Sequence, residues 1–227
     1  MSQRRPSPLG GARPRREELA RFASHAPGAA DEPGTLDDVL PDGPGDPALR
    51  LLIVGVNPGL WTAAVNAPFA YPGNRFWPSL HRAGLTDTLV DASRGLSPAD
   101  ERQLIDRGIG ITNLIGRATA AERDLTREEY PTAGRRLVER ISELRPHTVA
   151  IAGIGAFRKA FAQPRAALGR QDIERIPGWP TDIQLWVVPQ PSGLNAHETV
   201  ESLAEKWRAV WADSAEQNWG SSGEVRS

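Results

Sequence analysis

Asn57 is the residue of this chain best suited to do chemistry, because it follows an apolar run at a predicted strand exit. Leu51–Val54 is continuously apolar and predicts a buried strand. Open α/β sheets place their chemistry in loops at the carboxyl ends of strands. The Asn57 amide can both donate a hydrogen bond and accept one from a water molecule. Pro58 and Gly59 force a turn that leaves backbone N–H groups free, although the same residues are equally typical of a plain strand-to-loop turn.

A second loop, residues 189–196, follows the last predicted strand. If the sheet is parallel, this loop leaves it in the same direction as the loop that carries Asn57. It runs into a predicted helix N-terminus, which favours binding of a phosphate. Leu194 lies between Gly193 and Asn195 in a segment otherwise suited to solvent. An apolar side chain at such a tip can act as a wedge between base pairs, or it can turn back into the core.

Composition and charge narrow the classes of protein. The chain has 227 residues, of which 39% are hydrophobic, which is enough for one sizeable core. Its net charge of −1 means that any affinity for nucleic acid depends on a local patch. There is no cysteine, which excludes disulfides, thiol catalysis and cysteine-based metal sites. Without a secretory signal or an apolar run long enough to cross a membrane, we expect a cytoplasmic location and no membrane partner.

We expect no metal and no cofactor. The histidines are scattered and form no ligand pair at helical spacing. A phosphate-binding G-x-x-x-x-G-K motif is absent, and the segment around Gly153 and Gly155 lacks the third glycine of a dinucleotide fingerprint. A metal-dependent hydrolase and a nucleotide-binding domain are therefore disfavoured.

Strand and helix patterns alternate through the middle of the chain, which predicts an α/β fold with a mostly parallel sheet. The predicted strands are 50–56, 109–114, 147–152 and 183–189, with an edge strand at 172–176. The predicted helices are 74–83, 98–107, 126–144, 155–161 and 197–211. Thr126 and Glu129 have the spacing of a capping box, and Asn74 is expected to cap the helix that follows it.

The composition predicts one folded domain between two tails. Residues 1–34 form a basic extension that we expect to be disordered apart from a short helix at 17–23, residues 35–212 form the folded domain, and residues 213–227 form a disordered polar tail. The basic extension either adds non-specific affinity for DNA or acts as a solubilising tail. Its arginines are Arg4, Arg5, Arg13, Arg15 and Arg16.

The motifs, taken together, resemble those of the mismatch-specific uracil/thymine DNA glycosylases, a branch of the uracil-DNA glycosylase superfamily. The first motif is Gly55-Val56-Asn57-Pro58-Gly59-Leu60, continued in register by Pro68-Phe69 and by Pro72-x-Asn74-Arg75-Phe76-Trp77. The second is Pro191-Ser192-Gly193-Leu194, in the form of the bacterial members. Gly110-Ile111-Thr112-Asn113-Leu114 and Gly134-Arg135-x-Leu137 match between them in order and spacing. The resemblance spans residues 36–211, almost the whole predicted domain.

The resemblance implies a three-layer α/β/α fold with a short, mostly parallel central sheet, and an enzyme that flips a base out of DNA and excises it. By analogy, Asn57 positions the attacking water, and backbone amides near Val56 and Phe69 stabilise the charge of the departing base. Phe69 stacks on the flipped base, unless it is a plain core aromatic. Asn113 contacts the polar edge of the base, or else caps the end of its strand.

In the second loop, the resemblance assigns Leu194 as the wedge that fills the gap left by the flipped base. Gly193 and Asn195 would offer backbone groups to the widowed partner base, commonly guanine. Ser192, from the same motif, is assigned to substrate binding. We therefore expect the partner to be double-stranded DNA with a mismatched or damaged base.

The chain also departs from the family pattern. Asn195, Ala196 and His197 stand where some bacterial relatives have a serine and an arginine, which affects the expected phosphate contacts and the strictness of mismatch recognition. Trp61 and Thr62 stand near the pocket, where relatives carry small residues. Trp61 either narrows the pocket or lies outside it.

The resulting interpretation is a monomeric bacterial enzyme that excises uracil mispaired with guanine and leaves an abasic site. Thymine and etheno-type adducts are further candidate bases. No carboxylate stands next to Asn57, which predicts slow chemistry. The alternative is a protein that binds lesions or mismatches with little or no turnover.

Overall fold

The computed structural model describes residues 4–24 and 36–215, and these residues contain one five-stranded sheet. The strand order is β2-β1-β3-β5-β4, with β4 antiparallel to β5 and the other pairs parallel. The strands are β1 (Leu51–Gly55), β2 (Ile109–Asn113), β3 (Thr148–Ala152), β4 (Gly169–Arg170) and β5 (Gln184–Val188). The four parallel strands lie where the sequence predicts them.

Helices cover both faces of the sheet. They are α1 (Leu60–Val65), α2 (Phe76–Arg82), α3 (Pro98–Ile105), α4 (Glu129–Leu144), α5 (Ile154–Ala160) and α6 (Val200–Asp213). Short 3₁₀ helices lie at Arg16–Phe22, Glu122–Asp124 and Ile173–Arg175. The helix α1 is not among the predicted elements. None of the helices in the described part of the chain is long and apolar enough to cross a membrane.

The predicted edge strand at 172–176 is wrong. Its residues form a 3₁₀ turn, because the carboxylate of Asp172 accepts a hydrogen bond from the amide of Glu174 at 3.2 Å. The antiparallel edge of the sheet is the two-residue strand β4 instead. Local hydrogen bonding by an aspartate side chain competes with ladder formation and favours such turns.

The side chains of β1 divide the core into two layers. Leu51 and Ile53 belong to the cluster that also contains residues of α2 and α6, whereas Leu52 and Val54 belong to the cluster formed with α4 and α5. All four are fully buried. Alternate residues of a strand point to opposite faces, so a continuous apolar run requires cover on both sides. The three-layer α/β/α fold expected from the sequence is therefore confirmed.

The helix ends follow local hydrogen bonds more closely than the apolar pattern. The helix α4 begins at Glu129 rather than at 126, although the amide of Thr126 does donate to the Glu129 carboxylate at 2.7 Å. The helix α6 begins at Val200 rather than at 197, because Thr199 is its N-cap. The Thr199 side chain accepts from the amide of Ser202, and the Ser202 side chain accepts from the amide of Thr199. The N-cap position of α2 is Arg75 rather than Asn74, but the Asn74 side chain accepts from the amide of Phe76, the first residue of α2, at 2.9 Å.

Residues 4–24 of the basic extension pack against the domain, which differs from the expected disorder, and the short helix predicted at 17–23 is a 3₁₀ helix at Arg16–Phe22. Phe22 is 7% exposed and shares a cluster with alanines of α1, and Arg4 pairs with the carboxylate of Glu101. Within 213–227, the predicted tail, Asp213 is the last residue of α6. Of the predicted tails, residues 1–3, 25–34 and 216–227 lie outside the described residues, as does residue 35 of the predicted domain.

Candidate active site

Asn57 and Asn113 meet at the same edge of the sheet, because the strands before them are parallel neighbours. In the register of β1 and β2, Gly55 pairs with Asn113, the last residue of β2. The ladder continues past the strand ends, as the amide of Ile115 donates to the carbonyl of Val56 at 2.9 Å. The loop that carries Asn57 is therefore tied on one side to the residues that follow β2.

The amide nitrogen of Asn57 is held by three acceptors. Its Nδ2 lies 2.8 Å from Oγ1 of Thr119, 3.1 Å from the carbonyl oxygen of Arg117 and 3.2 Å from that of Pro58. Three acceptors fix which end of the amide is nitrogen, so the carbonyl end, Oδ1, must point the other way. Within the described part of the chain, nothing donates a hydrogen bond to this Oδ1. Asn57 thus presents an oriented, unused acceptor.

Residues 116–121, here called the support loop, supply two of those acceptors. The amide of Thr119 donates to the carbonyl of Pro58 at 3.1 Å, and its Oγ1 donates to the carbonyl of Ala121 at 2.9 Å. The guanidinium of Arg117 forms a two-pronged ion pair with Glu129, with both N···O distances at 2.9 Å. The side chains of this pair are 13% and 8% exposed. A buried bidentate pair fixes orientation more firmly than a surface pair does.

The ion pair predicts how stability depends on pH. Hydrogen bonds from Arg117 lower the pKa of Glu129 below its ordinary value of 4.5, assisted by the amide of Thr126, while burial opposes the shift. The pair therefore stabilises the fold fully above pH 4.5 and ceases to do so as pH falls through the lowered pKa. We expect Glu129→Gln to lower the free energy of unfolding by about 2–3 kcal/mol at pH 7, with the difference shrinking below about pH 4.

Urea unfolding at pH 7 and below pH 4 checks this expectation. The matched control is Glu201→Gln, because Glu201 pairs with Arg82 on the surface, where both side chains are at least half exposed. The control should cost less than about 1 kcal/mol. Equal losses for Glu129→Gln and Glu201→Gln would contradict a special role for the buried pair.

The side chains of Phe69 and Asn113 lie over Gly55. A Cβ atom on Gly55 would come within 2.6 Å of Oδ1 of Asn113 and 3.3 Å of Cζ of Phe69. Only a residue without a side chain therefore fits beneath both the aromatic ring and the amide. The Asn113 side chain makes no hydrogen bond to any described residue, so it does not act as a strand-end cap. Its donor and its acceptor both remain available to a ligand.

Phe69 is held rigidly and in an unusual backbone conformation. Its φ is 53°, in the left-handed region that side-chain-bearing residues rarely adopt. One face of its ring stacks on Phe76, with centroids 3.9 Å apart and planes inclined by 21°. Phe76 in turn meets Trp77 and Trp207 edge-on. The half-buried Phe69 ring is thus supported by an aromatic cluster. The backbone N–H of Phe69 donates to no described residue.

The loop of residues 189–196, here called the wedge loop, presents Leu194 to solvent. The Leu194 residue is 95% exposed, so the alternative that it turns back into the core is excluded. Its amide donates to Oγ of Ser192 at 3.2 Å, which shapes the tip. The amide of Asn195 donates to the carbonyl of Ser192 at 3.0 Å, and its side chain donates to Gln190 at 3.1 Å. Ser192 and Asn195 therefore hold the loop itself.

Arg75 fastens the wedge loop to the loop that carries Phe69. Its guanidinium donates to the carbonyls of Asn195 and Glu198, both at 2.7 Å, and to that of Gly193 at 3.2 Å. The two loops touch, since a Cβ on Gly193 would lie 2.7 Å from the carbonyl oxygen of Gly73. Arg75 forms no ion pair with a carboxylate of the described residues. The contact therefore leaves a positive charge beneath Leu194.

The other residues singled out by the sequence lie around this centre. Val56 is 5% exposed and its side chain packs in the core, so only its backbone is available to a ligand. Thr62 is buried in α1. Trp61 donates from Nε1 to the carbonyl of Ser93 at 3.0 Å and meets the ring of Tyr71 edge-on. Its polar end is therefore turned toward Ser93.

Sequence reasoning missed four residues that build this site: Gly55, Arg75, Arg117 and Thr119. Gly55 and Arg75 belong to the first motif, so the sequence shows their positions but not the contacts that they make. Thr119 is 62 residues away from Asn57 in the chain, and Arg117 is 60 residues away. No local pattern signals a contact across such a separation. Among the described residues, no group of His, Asp and Glu is arranged to hold a metal ion.

The fold is thus an α/β sheet with two asparagines at the carboxyl edge of its parallel strands and an exposed leucine in the loop after its last strand. A family model described as the uracil DNA glycosylase superfamily matches residues 43–213, well over half of the chain. The chain therefore belongs to the uracil DNA glycosylase superfamily. It is a DNA glycosylase, an enzyme that hydrolyses the N-glycosidic bond of a base in DNA.

Proposed function

We propose that this protein is a monofunctional, mismatch-specific glycosylase that excises uracil mispaired with guanine. In the reaction, a water oxygen forms a bond to C1′ of the deoxyribose, and the bond from C1′ to the base nitrogen breaks. The base leaves with the electron pair of that bond, and the water proton passes to solvent. The product is an abasic site, and no covalent enzyme intermediate is formed.

The observation that carries this proposal is the orientation of Asn57. Since three acceptors hold Nδ2, Oδ1 is free to accept a hydrogen bond from water. A water held in this way presents a lone pair rather than a hydrogen to the sugar. An amide is not a general base at neutral pH, so the rate enhancement comes from positioning and electrostatics. This assignment supports the expected slow chemistry.

The arrangement of Phe69 and Asn113 beside Gly55 supports a role in holding the base. Phe69 would stack on the ring, as its other face is already supported by Phe76. Asn113 has an unused donor and an unused acceptor, which suit the alternating polar edge of a pyrimidine. The unpaired N–H of Phe69 would face the developing negative charge of the leaving base, together with backbone groups near Val56.

The wedge loop supports a preference for duplex DNA. Leu194 would fill the gap left by the flipped nucleotide. The backbone groups of Asn195 are engaged, its amide with Ser192 and its carbonyl with Arg75. The N–H of Gly193 is therefore the group best placed to meet a widowed guanine, whose O6 and N7 are acceptors.

A panel of labelled duplexes tests the proposal. Uracil opposite guanine, uracil opposite adenine, thymine opposite guanine, an ethenocytosine and single-stranded uracil are incubated with excess enzyme, and alkali reveals abasic sites. We expect uracil opposite guanine to be excised at least about 10-fold faster than uracil opposite adenine, since the weaker pair costs less to open. Equal rates for both uracil duplexes would remove the mismatch preference.

A lesion-binding protein without turnover is the second candidate. It is favoured by one observation: no carboxylate of the described residues hydrogen bonds to Asn57. The same panel separates the two, because tight binding of the guanine–uracil duplex without abasic product would support binding alone. Any abasic product that depends on Asn57 supports the enzyme.

A further inference from the structure

The N-terminal segment, residues 4–24, lies along α1 and reaches the support loop. We propose that this segment contributes to the active site by holding the support loop in the position in which that loop orients Asn57. The inference rests on the proposed role of Asn57. It replaces the expectation that the basic extension is a disordered arm.

One end of the segment is fixed at the carboxyl end of α1. Asn66, which caps α1 in the left-handed conformation, donates from Nδ2 to the carbonyl of Arg5 at 2.7 Å. Its own carbonyl accepts from the guanidinium of Arg4, which also pairs with the carboxylate of Glu101. The amide of Arg5 donates to the carboxylate of Asp37 at 2.7 Å. This end is thus bound by backbone and side-chain contacts to three separate parts of the domain.

The middle of the segment buries apolar surface on α1 and on the support loop. Phe22 is 7% exposed, and it packs in one cluster with Ala63 and Ala64 of α1 and with Ala118 of the support loop. Leu9 and Leu19 border the same cluster. The three alanines are completely or almost completely buried. Small residues on α1 and the support loop therefore leave room for a large side chain from the segment.

The other end of the segment bonds to the residues that hold Asn57. The amide of Ser24 donates to the carbonyl of Ala118 at 3.0 Å, and the guanidinium of Arg117 donates to the carbonyl of Ser24 at 3.3 Å. Ala118 stands between Arg117 and Thr119, whose oxygens accept from Asn57. The segment therefore bonds to Arg117 and Ala118, and Asn57 bonds to Arg117 and Thr119, so both act on one stretch of three consecutive residues.

The arginines of the segment are mostly used inside the molecule, which argues against a DNA-binding arm. Arg4 and Arg5 pair with carboxylates, and the guanidinium of Arg13 lies 5.5 Å from the ring centroid of Trp61. Arg15 and Arg16 are exposed and form no ion pair with the described residues. These two are the arginines that a DNA-arm role would need.

The direct test observes the side-chain amide of Asn57 by nuclear magnetic resonance in the full chain. Its Nδ2 resonances are assigned by their loss in Asn57→Ala. In Phe22→Ala we expect these protons to exchange with solvent at least about 10-fold faster than in the wild type, because local opening exposes hydrogen-bonded groups. Phe22→Leu, which keeps most of the apolar volume, should restore slow exchange. Unchanged exchange in a folded Phe22→Ala variant would overturn the inference.

Kinetics supply the functional readout. In single-turnover assays at saturating enzyme, Phe22→Ala should slow uracil excision by about 10-fold or more, with duplex affinity changed by less than about 3-fold. In the Asn57→Ala background, the same substitution should change the residual rate by less than about 2-fold, because coupled sites are not additive. Leu19→Ala, at the border of the cluster, serves if Phe22→Ala does not fold, and it should give the same pattern with smaller effects.

Three results separate this inference from others. The positioning role is wrong if Phe22→Ala slows excision equally in the presence and in the absence of Asn57. It is also wrong if the double variant Arg15→Gln, Arg16→Gln slows excision as Phe22→Ala does and weakens the salt dependence of binding. If Asn57→Ala itself excises normally, the proposed role of Asn57 fails, while amide exchange still reports whether the segment holds its side chain. The charge variants alone should leave the saturated excision rate unchanged.

Discussion

Asn57→Ala should lose most excision while keeping the fold and the affinity for DNA. The methyl group cannot accept a hydrogen bond from water, so the water loses its oriented partner. We expect the single-turnover rate to fall on the order of 10²–10³-fold, the range for losing a positioned polar group at a reacting centre. Single-turnover excision and binding of an uncleavable duplex measure the two quantities separately. Normal cleavage by Asn57→Ala would show that the water is held elsewhere.

The substitution Asn57→Asp is a second test of the role proposed for Asn57. A carboxylate would place an oxygen against Thr119 and the carbonyls of Arg117 and Pro58, where Nδ2 now donates. The hydroxyl of Thr119 already donates to Ala121, so no hydrogen is available to satisfy the new oxygen. We expect no gain in rate, despite the added base, and a stability loss of about 1–3 kcal/mol.

Asn74→Ala is the matched control for both variants. Asn74 lies in the same part of the chain, and its side chain accepts from the amide of Phe76 at the start of α2. Loss of this hydrogen bond should cost about 1 kcal/mol of stability and leave the excision rate per folded molecule unchanged. An equal loss of excision in Asn74→Ala would mean that local stability, not water positioning, explains the effect of Asn57→Ala.

Arg75→Ala should impair duplex substrates about as strongly as Leu194→Ala. Without the guanidinium, the carbonyls of Gly193, Asn195 and Glu198 lose a charged donor, and such bonds contribute about 1.5–3 kcal/mol each. The wedge then no longer has a fixed position. We expect excision from the guanine–uracil duplex at limiting enzyme to fall about 10–100-fold, with single-stranded uracil affected far less. The double variant should be little worse than either single one.

Two controls separate position from charge. Arg75→Lys keeps the positive charge but cannot span three carbonyls with a planar fork, so it should resemble Arg75→Ala. Arg82→Ala removes an exposed arginine from the neighbouring helix α2, where it pairs with Glu201, and should have little effect. Full activity of Arg75→Lys would show that charge alone is sufficient.

The strands of the sheet could be predicted because their apolar runs are continuous. Leu51–Val54 needs cover on both faces, and this requirement alone indicates a layered fold. The helix α1 escaped prediction because six residues between Gly59 and Asn66 are too few to show a helical period. Two of its buried residues, Ala63 and Ala64, pack on Phe22, which lies in the short helix predicted at 17–23.

The site could be predicted only as far as its motifs reach. Asn57 and Leu194 are visible because a polar residue at a strand exit and an apolar residue in a polar loop are both unusual. Other contacts join distant parts of the chain: the hydrogen bonds that orient Asn57, and those from the Arg75 guanidinium to the wedge loop. The local pattern of residue types carries no information about such contacts. Few apolar residues in the N-terminal segment were enough to order it, because α1 offers a complementary surface of alanines.

The close approach of Gly73 and Gly193 has a mechanical consequence. Because the two backbones touch and Arg75 bonds to the carbonyl of Gly193, the loop that carries Leu194 and the loop that carries Phe69 are held at one spacing. If the proposed function is right, the DNA must then supply the deformation that brings the base to Phe69. Sites whose stacking is already weak would deform at the lowest free-energy cost, so part of the selectivity would come from the flexibility of the duplex itself.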